Sequence, residues 1–154
     1  MKEKKLVLKL IEKGYKISTA ESCTGGMLAS TIVNVPMASR VFDESVVTYA
    51  NEAKIKYCEV SPETIEKLGV VSEEVVLEMA KGIAKASGAT IGVGISVIAG
   101  PTGGTCTKPV GMVCFGFYIN GKTHSYTKYF KGSRTSVRKK STNFAINTLL
   151  ELLN

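Results

Sequence analysis

The sequence predicts an α/β domain: a three-layer α/β/α sandwich around a mixed, mostly parallel sheet of about five strands. Three observations carry this. Strand-like runs alternate with stretches of helical periodicity through most of the chain. Ile91 to Ala99 is apolar or small on both faces, as a central strand covered by helices on both sides must be. Asn120-Gly121 separates two further strand-like runs and is the strongest short hairpin signal present, which makes the sheet mixed.

The elements follow in order. Leu6, Val7, Leu10 and Ile11 recur at helical spacing between Lys2 and Lys13, and Gly14 supplies a C-terminal stop. Lys16 to Ala20 reads as a short strand. Met27, Leu28, Thr31, Ile32 and Val35 then give the next helix one apolar face, ended by Pro36. Ser45 to Tyr49 is β-branched and aromatic and predicts a second strand, followed at once by a helix with Asn51 as its candidate cap. Ser61-Pro62-Glu63 combines a cap, a first-turn proline and an acid favourable to the helix dipole, so a short helix runs to Leu68. A longer helix starts at Ser72, with Val75, Val76, Met79, Ala80, Ile83 and Ala84 on one face. Strands are expected at Ile91 to Ala99, Val110 to Ile119 and Lys122 to Phe130. Ser133 caps a last helix with Val137, Ser141, Phe144, Ala145, Thr148, Leu149 and Leu152 inward.

At 154 residues and 44% hydrophobic content, residues 1–154 read as one domain able to bury its own core. No apolar run of about 18 residues and no leader-like segment is present, so a cytoplasmic protein without membrane contact is expected. Cys23, Cys58, Cys106 and Cys114 form no C-x-x-C pair, and His124 is the only histidine. That argues against a zinc site, a disulfide scaffold and a Ser-His-Asp triad, and no metal or cofactor is expected. A formal charge of +7 favours anionic partners, either nucleic acid or a phosphorylated small molecule, or else a solvated basic face. Nucleic acid is the less favoured, because the chain lacks Trp and its basic residues are not interleaved with stacking aromatics.

In open α/β sheets, ligands collect outside the carboxyl ends of the parallel strands. Three loops fit that description: Glu21 to Gly26, Tyr49 to Lys54, and Ser96 to Gly104. Ser22 is a candidate nucleophile, and with no suitable histidine its candidate base is Lys54, whose ammonium would be disfavoured by burial and by the first turn of a helix. Tyr49 would relay the proton or orient Lys54. N–H groups around Thr24, Gly25 and Gly26 would form an oxyanion hole. Asn51, Ser96, Gly100, Gly103 and Gly104 join the candidate substrate contacts. Arg134 and Arg138, one helical turn apart, suit a phosphate as well as they suit solvent. Taken singly, Ser22 reads as a helix cap, Lys54 as a solvated lysine, Tyr49 as a packed strand aromatic and Cys23 as a buried small residue rather than a second nucleophile.

Together these residues resemble a known family. Ala20-Glu21-Ser22-Cys23-Thr24-Gly25-Gly26, Val47 to Lys54, Gly69-Val70-Val71-Ser72, Ile98 to Gly104 and Lys108-Pro109-Val110-Gly111 are similar, in order and spacing, to the CinA C-terminal domain family, over roughly Lys5 to Leu152. The resemblance implies an α/β/α fold and a cytoplasmic nicotinamide mononucleotide amidohydrolase (deamidase) of pyridine nucleotide salvage, often a homodimer or higher oligomer. It places the nucleophile on Ser22, the base on Lys54, an assisting role on Tyr49 and ligand contacts on Ser96, Arg134 and Arg138. Val97 stands where the family usually has glycine. That departure keeps a second reading open, a nucleotide-binding domain of the same fold that does not turn its ligand over.

Overall fold

The computed structural model describes residues 1–154. The elements are α1 (Lys2–Lys13), β1 (Ile17–Glu21), α2 (Met27–Val33), a 3₁₀ turn (Ala38–Arg40), β2 (Val46–Val47), α3 (Asn51–Cys58), α4 (Pro62–Leu68), α5 (Glu73–Ser87), β3 (Ile91–Val97), β4 (Met112–Ile119), β5 (Lys122–Tyr129) and α6 (Arg134–Leu152). One five-stranded sheet has the order β2-β1-β3-β4-β5. The β1–β2 and β1–β3 pairings are parallel and the β3–β4 and β4–β5 pairings antiparallel, so only β4 runs against the others. The carboxyl ends of β1, β2, β3 and β5 therefore lie along one edge.

Strand alternation sorts the core into two. Ile91, Val93, Ile95 and Val97 of β3, with Val113, Phe115 and Phe117 of β4, pack with Leu6 and Leu10 of α1, Leu28 and Ile32 of α2, and Val137, Ala145 and Leu149 of α6. On the opposite face Ala20, Met112 and Cys114 meet Val75, Val76, Met79 and Ile83 of α5 and Cys58 of α3. The fold is the expected three-layer sandwich.

The α5 side is packed through glycines. A Cβ at Gly92 would stand 1.9 Å from the Ala80 carbonyl oxygen, one at Gly94 2.4 Å and one at Gly116 2.3 Å from that of Val76. On α5 itself, a Cβ at Gly82 would stand 1.8 Å from the Cys58 carbonyl oxygen. At Gly92, Gly94 and Gly116 the main chain of α5 lies directly on the main chain of the sheet, and at Gly82 α5 meets α3 in the same way. Glu73, at the start of α5, accepts hydrogen bonds from Ser125 Oγ and Thr127 Oγ1 of β5, each 2.6 Å long.

Two expected features differ. The strand expected at Ser45 to Tyr49 pairs only through Val46–Val47; beyond the Thr48 N–H, which donates to the Glu21 carbonyl at 2.8 Å, the chain leaves the sheet. The carbonyls of Thr48 and Tyr49 bond to the Lys54 side chain instead. Asn51 is the first residue of α3 rather than its cap, a position held by Ala50 without a side-chain bond. Ser72 and Ser133 do cap α5 and α6, accepting from the N–H groups of Val75 and Ser136.

Gly116→Ala and Gly94→Ala are expected to destabilise the domain by about 1–3 kcal/mol each, since the added methyl meets main chain that cannot rotate away. Denaturant unfolding monitored by circular dichroism measures this.

Candidate active site

The site is assembled where β1, β2 and β3 end. Ser22 follows directly on β1, and its N–H donates to the Ile95 carbonyl of β3 at 3.1 Å. Lys54 sits at the close of the first turn of α3 and is fully buried. Its Nζ lies 3.3 Å from Ser22 Oγ, 2.6 Å from the Thr48 carbonyl oxygen and 3.3 Å from that of Tyr49. No carboxylate is paired with it; the two ion pairs, Lys16–Asp43 and Lys85–Glu59, lie elsewhere.

Burial holds the Lys54 pKa below its ordinary value of 10.5, opposed by the nearby Cys58. The Cys58 thiol is itself pushed up to about 11 by burial, with Lys54 acting in the other direction. At neutral pH Cys58 is therefore an uncharged thiol and offers no counter-ion. Nζ donates to the carbonyl oxygens of Thr48 and Tyr49 and to Ser22 Oγ, so the amine is fully hydrogen-bonded without a counter-ion.

A cavity of about 320 Å³ opens in front of this pair. Its polar side chains are Ser22, Tyr49, Lys54, Ser96, Thr102 and Arg134, and its floor includes Val97. Two roomier hollows, about 400 Å³ beside Glu73 and Lys108 and about 490 Å³ beside Lys81 and Tyr118, bring no nucleophile next to a base. Cys114 in the first is a buried thiol whose pKa is raised by that burial.

Among the candidate residues, Ser22, Tyr49, Lys54, Ser96, Gly100, Gly103 and Arg134 all line this cavity. Thr24, Gly25, Gly26, Asn51, Gly104 and Arg138 do not. Tyr49 reaches Lys54 by its carbonyl alone; its exposed phenol oxygen accepts a 2.9 Å bond from Arg134 Nη2, so a relay through the ring is not the geometry present. Arg134 Nη1 donates to the Gly100 carbonyl at 3.0 Å, tying two loops across the cavity mouth. The Gly25 N–H, expected in an oxyanion hole, donates to the Ser22 carbonyl at 3.0 Å. The cavity also takes in Cys23, Val70, Val71, Ile98, Ala99 and Thr102, which were not among the candidate contacts. The Gly69-Val70-Val71-Ser72 segment was the available signal for two of them.

Ser22 is not a helix cap. That task falls to Glu21, wholly buried, whose carboxylate accepts from the N–H groups of Leu28 at 3.0 Å and Ala29 at 2.9 Å and from Thr19 Oγ1 at 3.1 Å. The positive end of α2 balances the carboxylate, and the serine hydroxyl is left free for Lys54. Glu21→Gln, which can present only one oxygen to two N–H groups, is expected to lose about 1–3 kcal/mol of stability, measured by thermal or denaturant unfolding.

The sequence model of the CinA C-terminal domain family matches residues 1–153. A CinA-like protein from Kosmotoga olearia is 52% identical over 143 residues, which cover 92% of this chain and 35% of that protein. The chain thus spans about a third of the length of the curated relatives it matches. The solved structure of a competence or damage-inducible protein from Enterobacter asburiae has a TM-score of 0.96 at 38% identity, covering 99% of this chain and 96% of that one. A CinA superfamily protein from Klebsiella pneumoniae gives 0.95 at 36%, covering 99% and 95%. A match that runs from the first residue to the penultimate one, with the architecture repeated in solved structures, means that this chain belongs to the CinA C-terminal domain family.

Proposed function

We propose that this domain is an amidohydrolase that converts nicotinamide mononucleotide to nicotinate mononucleotide and ammonia, with Ser22 as nucleophile and Lys54 as base. The observation that carries the reading is the buried, carboxylate-free amine of Lys54 at 3.3 Å from Ser22 Oγ. In the reaction Lys54 Nζ takes the hydroxyl proton as Ser22 Oγ bonds to the carboxamide carbon. The C–N bond then breaks, the amide nitrogen takes the proton from Lys54, and ammonia leaves. Water next attacks the acyl-enzyme, yields a proton to Lys54, and Ser22 Oγ departs with that proton. The substrate phosphate pairs with Arg134 at the cavity mouth, where the guanidinium is exposed.

A second reading has one observation in its favour. Val97 belongs both to the hydrophobic core and to the cavity floor, so its side chain takes space that a glycine would leave open. Under that reading the domain binds a pyridine nucleotide without turning it over; calorimetric binding with no ammonia released distinguishes the two.

Ammonia release from nicotinamide mononucleotide is the test. Ser22→Ala and Lys54→Met are each expected to lower kcat by at least about 1,000-fold with the fold intact; full activity in either removes the mechanism. Lys54 serves as a base only when unprotonated, so kcat is expected to rise with pH to a plateau. The midpoint lies below the ordinary lysine value of 10.5, because burial depresses the pKa. A profile flat from acid to alkaline pH would exclude Lys54.

A further inference from the structure

The structure assigns Arg138 a positioning role: its guanidinium holds the main chain of the Ser22 turn from the α6 side, leaving Arg134 alone to meet an anion. This rests on the amidohydrolase reading for its kinetic expectations, but not for its geometry. Arg138 Nε donates to the Cys23 carbonyl at 2.8 Å, and Nη2 donates to the Thr24 carbonyl at 3.3 Å. It is the one side chain that bonds the main chain of residues 22–26, and it does not line the cavity.

The turn requires such a hold. Gly25 and Gly26 have φ of 59° and 96°, left-handed conformations that glycine enters freely and leaves as freely. A side chain at position 25 would also crowd the clamp, since its Cβ would stand 3.2 Å from Arg138 Nη2. Each peptide unit is planar, so fixing the carbonyls of Cys23 and Thr24 also fixes the N–H groups of Thr24 and Gly25 on the opposite side of those planes. Three constraints then converge on Ser22: the Ile95 carbonyl on its N–H, Glu21 anchoring α2 beyond the turn, and Arg138 on the two residues that follow it. The guanidinium sets a separate nitrogen on each carbonyl, Nε on Cys23 and Nη2 on Thr24, in a fixed planar geometry that the single nitrogen of a lysine does not reproduce.

The experiment compares Arg138→Ala, Arg138→Lys and Arg134→Ala in the full chain. It reads kcat and KM for ammonia release from nicotinamide mononucleotide, inhibition by inorganic phosphate, and amide hydrogen exchange over residues 22–27. Arg138→Ala is expected to lower kcat by about 10-fold to 100-fold, with KM and the phosphate inhibition constant within about twofold of the parent. Millimolar guanidinium ion restores part of that kcat, and exchange at residues 22–27 speeds up. Arg134→Ala is expected to do the reverse, raising KM and weakening phosphate inhibition. Should Arg138→Ala fail to fold by circular dichroism, Arg138→Lys carries the same comparison. The assignment is overturned if the Arg138 variants weaken phosphate inhibition with kcat intact, or if exchange over residues 22–27 is unchanged. If the parent protein releases no ammonia, the amidohydrolase reading falls and amide exchange alone decides the role of Arg138.

Discussion

A lysine amine held inside the protein, without a carboxylate to stabilise its charge, is the constraint on which the rest of the site depends. A buried ammonium is costly, and burial lowers the Lys54 pKa from its ordinary value. Helix α3 begins three residues beyond β2, after Thr48, Tyr49 and Ala50, so Lys54 turns back toward that link and meets the carbonyls of Thr48 and Tyr49. Those two carbonyls are available because β2 is only two residues long. Cys58, one turn further along α3, remains a thiol and keeps negative charge away. In the proposed mechanism, the same burial that disfavours the cation suits the amine to take a proton.

The glycine-lined contact of α5 with the sheet supports this arrangement from behind. Helix α3 packs on α5 through Gly82, against the Cys58 carbonyl at the end of the helix that carries Lys54. At these glycines backbone meets backbone, and no flexible side chain there absorbs a shift. The other wall of the cavity is the β3–β4 loop, joined by Arg134 to Tyr49. From residue 79 to residue 150 the chain carries ten Lys and Arg and no Asp or Glu, and of the ten only Lys85 is in an ion pair, with Glu59.

The alternation of elements, the hairpin at Asn120-Gly121 and the pairing of Ser22 with Lys54 were legible in the sequence, because each depends on local pattern and on where parallel strands end. What was not legible depends on partners distant in the chain. Ser45 to Tyr49 has strand composition throughout, but its last carbonyls are claimed by an amine rather than by the sheet. Ser22 has the chemistry of a cap, yet Glu21 can reach the same helix with two oxygens, and an acid closing an otherwise apolar and hydroxyl-bearing strand was the sign of it. Arg134 and Arg138 differ by one helical turn and look equivalent as sequence. Only the docking of α6 shows that one faces the cavity and the other faces main chain.

That docking sets an order of assembly. The bond from Arg138 to Cys23 joins residues 115 apart, linking the first βα turn to the final helix. During synthesis, β1, α2 and α3 emerge early, and Ser22 and Lys54 with them. The elbow that presents the serine stays unbraced until the last helix has been made and has closed over the sheet. The Ser22 turn is thus braced only once α6 has docked, and a fragment ending before α6 would carry Ser22 and Lys54 without the bonds from Arg138 that hold the residues beside them.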